Sequence, residues 1–349
     1  MAVYRMDPIG DARWPAFLEQ HPGASIFHTP GWLEALRRTY GYEPLALTTS
    51  APGEPLINGM VFCRIQSWLT GCRLVSLPFS DYCQPLVDDP ESLLRILRWL
   101  EQGREREEWK YVELRPMWCD AQLDAQTRFG KGATFYLHTI DLRPDQEAVF
   151  RGFHKNCIQR KIQRGEREGL AYEAGRSESL LAKFYRLLLL TRRRHKLPPQ
   201  PLVWFRNLVA CMGDKLTIRV VSKNGSPVAS ILTLSHGKKL VYKYGCSDAS
   251  FHNLGGMPLL FWKAMQEGKA LGAVEFDLGR SEADASDLIT FKEHLGAVGS
   301  QLRYYRYPAV LPGGEPATDW RKSLVQHACA RLPDSVLIAA GRLLYRHVG

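Results

Sequence analysis

The chain has 349 residues, of which 45% are hydrophobic and 23% are charged. This composition is typical of a globular protein with a packed core, and the length favours about two domains. The formal net charge of +10 is compatible with a polyanionic partner and equally with a surface that carries surplus lysines. No apolar run approaches the roughly 18 residues that a transmembrane helix needs, so the sequence predicts no membrane-spanning helix.

Cysteine usage and the N-terminal residues indicate the compartment. The opening MAVYRMDPIGDARW contains acids and a proline where a secretory signal peptide has an apolar run. The eight cysteines include no C-x-x-C pair and no evident sequence cluster with histidine, and several lie in apolar runs, namely Cys63, Cys211 and Cys246. This pattern favours free thiols in a reducing compartment over disulfides or zinc. The sequence predicts a cytoplasmic protein without a bound metal, and an envelope-related role would place it at the inner face of the membrane.

The first half of the chain contains a simple series of elements. Helices are predicted at 11–20 and 30–40, and the runs EPLALTTS, EPLINGMVFCRIQ and CRLVSLP predict three strands. A polar loop from Phe79 to Asp89 leads to a helix that begins near Pro90, and WKYVELRP predicts a fourth strand.

The second half repeats this series. Helices are predicted at 145–169, 178–194 and 201–212, and TFYLHTIDL (134–142) would begin a second sheet. The strand runs KLTIRVVSK and SPVASILTLS are joined by Asn224–Gly225, a strong hairpin signal. The strand KKLVYKYGCS, a polar loop, the helix MPLLFWKAMQEGKALG and the strand AVEFDLG follow. The shared order of five elements predicts an internal duplication.

The duplication sets the predicted domain boundaries. We expect a first domain at 1–140, a second domain at 141–310 and a helical C-terminal tail at 311–349. Apolar positions between Val336 and Leu344 follow helical spacing, which is typical of core packing or a lid, with contact to a membrane surface as the alternative.

The segment from Val274 to Tyr307 carries the most chemical information. VEFDLG predicts a strand, the residues from Arg280 to Asp287 a polar loop, LITFKEHLG a short helix closed by Gly296, and SQLRYYRY a last strand. Strand, loop, short helix and strand in this order are typical of the C-terminal half of an acyltransferase domain of the GNAT type.

Four segments resemble FemAB-like proteins, which are relatives of the enzymes that add amino acids to peptidoglycan precursors. They are the segment just described, FHTPGWLEALRRTYGYEPLAL (27–47), LPFSDYCQPLVDD (77–89) and FHKNCIQRKIQRGEREGL (153–170). The resemblance covers roughly residues 25 to 310. It implies an α/β (α+β) protein with two tandem GNAT-like acyltransferase domains, each a mixed, largely antiparallel sheet flanked by helices, plus the helical C-terminal tail.

The resemblance also implies catalytic roles. Lys292 lies where Fem-type enzymes carry the lysine of an FK-x-x-(F/W)-G motif, although Leu295 replaces the aromatic residue. Its ammonium would stabilise the oxyanion of the reaction, and a solvent-facing helix lysine is the alternative. Asp81 resembles the aspartate of a loop that Fem-type first domains place in the acceptor channel, where it would hold the acceptor's ammonium; a turn-capping aspartate is the alternative. Tyr82 and Tyr244 are predicted to line the same channel, with core packing as the alternative for Tyr244.

Arginines are the predicted ligands of anionic substrate groups. Arg280 and Ser281 follow a predicted strand end directly, and an arginine there suits a phosphate or carboxylate because its fork binds two oxygens. A plain loop arginine is the alternative. Arg193 and Arg194 end the predicted helix 178–194, where cations complement the helix dipole and are also able to contact a diphosphate, a nucleotide or tRNA.

The loop HNLGGMPLL (252–260) lies where CoA-dependent GNAT enzymes carry a (Q/R)-x-x-G-x-(G/A) phosphate loop. The spacing differs here, which favours another donor over CoA. Backbone amides of Gly255 and Gly256 at a helix N-terminus are nevertheless able to bind an anion, so both glycines are predicted to contact the donor.

The sequence therefore predicts an acyl- or aminoacyltransferase that forms an amide on an amine of an envelope, polysaccharide or natural-product precursor. Aminoacyl-tRNA is the predicted donor, and the acceptor is a small or lipid-linked amine. An acyl-CoA-dependent N-acyltransferase is the first alternative, and a non-catalytic scaffold protein of envelope assembly is the second. No bound cofactor is predicted.

Overall fold

The computed structural model describes residues 2–68, 71–106, 108–117, 126–309 and 333–348. The chain forms two compact units. Unit 1 comprises the described residues within Met1–Thr134, Leu302–Arg321 and Arg342–Gly349, and unit 2 those within Phe135–Gln301 and Lys322–Gly341.

Strands and helices are labelled here in chain order. The strands are β1 (Tyr4–Met6), β2 (Glu43–Thr48), β3 (Met60–Ser67), β4 (Gly71–Val75), β5 (Val112–Leu114), β6 (Gly130–Asp141), β7 (Ala171–Gly175), β8 (Leu216–Lys223), β9 (Ser226–His236), β10 (Lys239–Ser247), β11 (Glu275–Glu282) and β12 (Val298–Tyr307). The α-helices are α1 (Arg13–Gln20), α2 (Pro30–Tyr40), α3 (Pro90–Glu105), α4 (Gln146–Arg151), α5 (Arg160–Arg167), α6 (Glu178–Arg194), α7 (Leu202–Met212), α8 (Gly256–Ala270), α9 (Ser286–His294) and α10 (Asp334–Val348). A π-helical turn (Lys155–Gln159) precedes α5, and a 3-10 helix (Ala249–Leu254) precedes α8.

The sheet of unit 1 has the strand order β1-β2-β3-β4-β5-β12. The β4–β5 pair is parallel, whereas the other neighbours are antiparallel. The last strand, β12, pairs with β5 through residues 305–307, so a strand from late in the chain completes this sheet.

The sheet of unit 2 has the strand order β7-β8-β9-β10-β11-β6. Its β10–β11 pair is parallel and its other neighbours are antiparallel. Each unit thus places one parallel pair at the same point of a six-strand order, with a helix (α3 or α8) between the two parallel strands. This agreement confirms the predicted fold class of two GNAT-like units with mixed, largely antiparallel sheets.

Local sequence signals explain the element boundaries. Asn224 and Gly225 adopt φ angles of 51° and 77° between β8 and β9, the left-handed backbone that a two-residue hairpin turn requires. Ser177 caps α6 by accepting the N–H of Leu180, and α2 begins with Pro30 at its first position, where the missing N–H is harmless. The hairpin and both helices match the sequence prediction.

Three strand features differ from the prediction. The short strands β1 and β7 were not predicted, because each lies at a sheet edge and lacks a long alternating pattern. β11 also continues beyond Gly279, which was the predicted strand end. Gly279, whose φ is 71°, lies in a bulge between Asp277 and Arg280, and the strand continues after it. Arg280 and Ser281 therefore lie in a strand and not in the predicted polar loop.

Each unit has its own apolar core. In unit 1 the face of α3, with Ile96 and Leu97, packs among side chains of β2 to β5. In unit 2 the face of α8, with Leu260 and Met265, packs with residues of α5 and β11. The described part of the predicted tail is helical, as α10 shows, whereas residues 310–332 lie outside the described residues. None of the described helices combines the length and apolarity that crossing a membrane requires.

Candidate active site

The parallel strands of unit 2 separate from each other towards their carboxyl ends. β10 and β11 pair only from Lys239–Glu275 to Val241–Asp277, although β10 runs on to Ser247 and β11 to Glu282. A bulge between Tyr242 and Tyr244 accompanies this change on β10. Ligands in open α/β sheets bind beyond the carboxyl ends of such strands.

A cavity of about 380 Å³ opens beside these strands. Its lining residues come from α5, the end of α6, β9, β10, the 3-10 helix before α8, the first turn of α8, and α9. They are Lys161, Arg194, Val228, Ala229, Tyr242, Ser247, Phe251, His252, Gly256, Met257, Pro258, Asp287, Leu288 and Phe291. The volume is within the range of small-molecule sites in proteins.

One wall of the cavity is basic. Arg194 donates from Nη1 to the Ser247 carbonyl at 3.2 Å, which fixes its guanidinium at the end of β10. His252 Nε2 lies 2.9 Å from Ser247 Oγ. Burial and the nearby Arg194 lower the pKa of His252 from its ordinary value of 6.5, so its ring is predominantly neutral at pH 7. With Lys161, this wall offers two permanent cations and a neutral imidazole to an anionic ligand.

Close helix packing brings Lys161 to the start of α8. Gly255 has a φ of 78°, and a Cβ added there would lie 2.1 Å from the Lys161 carbonyl oxygen. Gly165 on α5 is similarly close to the chain, because a Cβ there would lie 3.3 Å from the Leu254 carbonyl oxygen. Two glycines therefore let α5 approach the first turn of α8. Gly256 lines the cavity, and among the described residues no side chain caps this helix N-terminus, whose N–H groups favour anions.

Most of the remaining lining of the cavity is apolar, apart from the carboxylate of Asp287 on α9. Phe251 and Met257 come from the chain around the start of α8, while Leu288 and Phe291 come from α9. Phe291 also packs edge-on against Phe261 with ring centroids 5.7 Å apart, which fixes its ring. Basic and apolar side chains in one cavity suit a donor that joins a phosphate group to an organic acyl group.

Lys292 holds the bulge of β11. The side chain is 3% exposed, and Nζ donates to the carbonyls of Gly279 at 2.7 Å and Arg280 at 3.2 Å. The Gly279 N–H donates to Asp277 Oδ1 at 2.7 Å, so both sides of this peptide segment are bonded. Lys292 is thus a buried residue and not a solvent-facing one. Its described hydrogen bonds position the bulge.

The neighbouring predicted ligands lie on the same strand. The Arg280 guanidinium stacks 4.0 Å from the centroid of the Phe135 ring. Ser281 is buried, and its Oγ has no hydrogen-bond partner among the residues that the structure describes. Lys292 therefore contacts the backbone of Arg280, whereas neither Arg280 nor Ser281 lines the cavity.

Tyr244 and Arg193 lie outside the cavity lining. The Tyr244 hydroxyl accepts a 2.9 Å hydrogen bond from Trp204 Nε1, and its ring packs on Phe205, in agreement with core packing. Arg193 is exposed at the end of α6, next to Arg194, which does line the cavity.

Asp81 and Tyr82 belong to unit 1. The Asp81 carbonyl accepts a 2.7 Å hydrogen bond from the Tyr304 hydroxyl, and the residue is half-buried. Tyr82 is buried and packs edge-on against Phe27, with ring centroids 5.5 Å apart.

Of the predicted site residues, Arg194 and Gly256 line the cavity, and Gly255 directly precedes Gly256 but is not part of the lining. Lys161, Ser247 and His252 also line the cavity but were not among the predicted site residues. Ser247 is the last residue of a predicted strand, and this position at a strand end was the available signal. Lys161 is one of several basic residues in the segment 153–170, but its place at the cavity depends on packing against a glycine distant in the chain.

The comparisons with known proteins agree with this geometry. Residues 152–292 match the family model described as an acetyltransferase (GNAT) domain. Among curated proteins, none matches the sequence significantly.

Several solved structures share the fold. FemX superposes with a TM-score of 0.67 at 13% identity, covering 86% of this chain and 96% of its own. A tandem GNAT protein from the clavulanic acid biosynthesis pathway has a TM-score of 0.56 at 10% identity, covering 87% and 97%. L-PGS from Bacillus licheniformis has a TM-score of 0.55 at 14% identity, covering 98% and 99%.

At these identities the structural likenesses establish the fold, while the family model assigns a GNAT domain to most of unit 2. The fold expected from the resemblance to FemAB-like proteins is thereby confirmed, and the chain contains an acetyltransferase (GNAT) domain within a FemX-like fold.

Proposed function

We propose that the chain transfers an aminoacyl group from aminoacyl-tRNA to an amine of an envelope or related precursor, with the donor bound in the cavity of unit 2. In this reaction the acceptor nitrogen forms a C–N bond to the acyl carbon and the ester C–O bond breaks. The amine loses a proton and the departing ribose hydroxyl gains one. The protein has to position the donor carbonyl, remove the proton and stabilise the oxyanion.

The observation that carries this proposal is the two-sided cavity. Lys161 and Arg194 would hold a phosphate of the donor beside the uncapped N-terminus of α8. The apolar wall around Phe291 would receive the acyl portion. This arrangement would hold the donor in one orientation, with its phosphate and its acyl carbonyl in defined positions. Such positioning is the main requirement of a transfer between two bound groups.

The basic surface around the cavity favours tRNA. Lys155, Arg160 and Arg167 are exposed on the π-helical turn and α5, the segment that brings Lys161 to the cavity. Arg193 is exposed beside Arg194. A single diphosphate needs only the cavity wall, whereas a tRNA end needs further contacts along its backbone.

The other predicted residues receive proposed roles of different kinds. Lys292 would act as a positioning residue that holds the β11 bulge, and its positive charge would add to oxyanion stabilisation. Arg280, Ser281, Tyr82 and Tyr244 remain proposed substrate contacts. Asp81 remains the proposed ligand of the acceptor's ammonium, since a carboxylate is the natural partner of that group.

An acyl-CoA donor is the second candidate. It is favoured by the pair Gly255–Gly256 at a helix N-terminus without a side-chain cap, because such a terminus is able to bind a diphosphate. The acceptor chemistry would be the same, with a C–S bond breaking in place of the ester bond.

Donor retention tests the proposal. The full chain is incubated with aminoacylated tRNAs and, separately, with acyl-CoAs, and the complexes are measured by native mass spectrometry. We expect tRNA to be retained, with a steep loss of affinity as salt rises, about 0.7–0.9 log units per log unit of salt for each phosphate contact. Combined Arg193→Ala and Arg194→Ala should flatten that slope by about one to two units.

The matched control is Arg37→Ala with Arg38→Ala, two exposed arginines paired with Glu34 on α2 of unit 1. This pair should leave the slope unchanged. Retention of acyl-CoA without tRNA would overturn the tRNA proposal in favour of the second candidate. Retention of neither donor would favour a binding or scaffold protein.

A further inference from the structure

Two histidines and a cysteine meet in unit 2, outside the lining of the cavity. His154 precedes the π-helical turn, Cys157 lies within it, and His294 ends α9. The candidate ligand atoms of the three side chains all lie within 4.8 Å of one another. His154 and Cys157 form an H-x-x-C pair, which the sequence prediction of no metal site did not count as a His/Cys cluster. His294 is 137 residues beyond Cys157 and joins them only in the fold.

We infer that His154, Cys157 and His294 form a binding site for a divalent transition metal, with zinc as the ion that suits it best. Two imidazole nitrogens and one thiolate are a borderline-soft donor set, which zinc prefers over the oxygen sets of magnesium or calcium. A tetrahedral zinc ion with such ligands needs donor atoms roughly 3.3–3.8 Å apart, given bond lengths of about 2.0–2.3 Å. Small side-chain rotations close the present spacing to that range.

The backbone already holds the ligands together. The His154 N–H donates to the His294 carbonyl at 2.8 Å, and the two imidazole rings lie 4.3 Å apart between centroids.

Metal binding has to displace one local hydrogen bond. His154 Nδ1 accepts the Cys157 N–H at 3.2 Å. A metal at Nδ1 would replace this bond directly, and a metal at Nε2 would require the proton to move to Nδ1. The bond is a long one between neutral groups, so it is a weak competitor of a metal–ligand bond. Three protein ligands leave a fourth position for water or an exogenous group.

The site would connect two segments that also reach the cavity. His154 and Cys157 directly precede α5, which carries Lys161, and His294 follows Phe291 on α9. A bound ion would fasten these segments to each other. Zinc would therefore stabilise the fold and restrict the cavity walls, which makes metal supply a means of regulating this chain.

Cobalt titration tests the site directly. The full chain is treated with a chelator, reduced, and titrated with Co²⁺ without oxygen, while the near-ultraviolet thiolate-to-cobalt charge-transfer band is recorded. We expect one Co²⁺ per chain, displacement by Zn²⁺, and stronger binding at higher pH, because the thiol must release its proton. Cys157→Ser should abolish the band, while His154→Ala and His294→Ala should each weaken binding by at least about 10-fold, the lower end of the loss caused even by outer-shell changes.

Matched controls separate this cluster from other thiols and imidazoles. Cys211→Ser changes another half-buried cysteine of unit 2, and His236→Ala changes a histidine of β9; both variants should titrate like the wild type. Zn²⁺ should raise the melting temperature of the wild type but not of Cys157→Ser, and circular dichroism of the metal-free variants checks their fold. The absence of a charge-transfer band in the wild type, or its persistence in Cys157→Ser, would overturn the inference.

Discussion

The helices α3 and α8 occupy the same place in their units but begin in opposite ways. Asp89 caps α3 with its carboxylate, which accepts the N–H groups of Glu91 and Ser92, and Glu91 adds a second acid to the first turn. α8 begins after Gly255 without a side-chain cap and faces the basic wall of the cavity. A carboxylate at a helix N-terminus occupies the position that a bound anion would take, so the start of α8 suits the proposed donor phosphate better than the start of α3 does.

The ends of the parallel strands show the same contrast. In unit 1, Glu113 accepts from Arg115 at 2.8 Å and from Arg306 at 2.9 Å, and these charges satisfy one another. Burial disfavours ionisation of Glu113 most strongly, but the attraction of Arg115 and Arg306 keeps the pKa of its carboxyl below the ordinary value of 4.5. In unit 2 the corresponding strand ends line or adjoin an open cavity. The two units thus share a strand order but differ at this place, where unit 1 has a satisfied ion-pair network and unit 2 has the cavity that we propose for the donor.

The largest effect should come from removing the centre of the buried network in unit 1. Glu113→Ala leaves two arginines without their carboxylate partner, and we expect a loss of about 3–5 kcal/mol in the free energy of unfolding. Urea unfolding measures this loss. The control is Glu275→Ala, which removes a half-exposed pair with Lys239 in unit 2 and should cost about 1 kcal/mol or less.

The same network has a defined pH dependence. Because the pKa of Glu113 is lowered in the folded state, its contribution is present above about pH 4.5 and is lost as the pH falls through the lower folded value. Unfolding of Glu113→Gln should lack this component in acid. If donor binding per folded molecule also fell in Glu113→Gln, the hypothesis that unit 1 has a structural role and unit 2 binds the donor would be wrong.

The next effect concerns the basic wall of unit 2. Combined Lys161→Ala and Arg194→Ala should weaken donor binding about 10²–10⁴-fold, because each change removes a charge-assisted contact worth about 1.5–3 kcal/mol. Equilibrium binding of the donor retained in the mass-spectrometry assay is the measurement. Arg95→Ala combined with Arg98→Ala on α3 is the control. An equal loss of donor affinity in this control variant would show that Lys161 and Arg194 are not the specific donor contacts.

The third effect concerns the bulge of β11, which the three-residue strand β5 of unit 1 lacks. Lys292→Met leaves the Gly279 and Arg280 carbonyls without their shared donor, at a cost of about 1–3 kcal/mol, and should lower the melting temperature by several degrees. Turnover of the folded variant should fall by about 10²–10³, as for the loss of an oxyanion-stabilising group. Lys238→Met, an exposed lysine of unit 2, should change neither quantity. A lower melting temperature with normal turnover would restrict Lys292 to a structural role.

The smallest effect should come from the cap of α3. Asp89→Ala removes two side-chain hydrogen bonds at the helix start and should cost about 0.5–2 kcal/mol, measured by thermal unfolding. Asp88→Ala, at a neighbouring carboxylate that is 88% exposed, is the control and should be nearly neutral. If a second donor site appeared in Asp89→Ala, the Asp89 cap alone would account for the difference in donor binding between α3 and α8.

Local signals in the sequence were sufficient for much of the fold. Helix α6 was predicted over its full length, because a serine cap precedes it and its apolar residues follow helical spacing. The hairpin at Asn224 was predicted, because few residues tolerate its backbone angles. The bulge that extends β11 was not predicted, because a glycine after a strand indicates an end as readily as an irregularity.

The site was less predictable than the fold. Arg194 was identified because charge at a helix end is visible in the sequence. Lys161 depends on the contact of α5 with Gly255, and Lys292 depends on carbonyls of a bulge that the sequence did not reveal. His154 and Cys157 form a visible pair, but His294 reaches them only through the folded chain. A single sequence does not show which distant segments come into contact in the fold.

The pairing of β12 with β5 has a consequence for synthesis on the ribosome. Residues 305–307 complete the sheet of unit 1, yet they emerge from the ribosome after almost all of unit 2. Until then β5 presents an unpaired strand edge, which is a site for aggregation or for association with chaperones. The first unit to be translated is therefore among the last to be finished. A stop codon before residue 298 would remove β12 and leave the sheet of unit 1 incomplete, although most of unit 1 lies at the start of the chain.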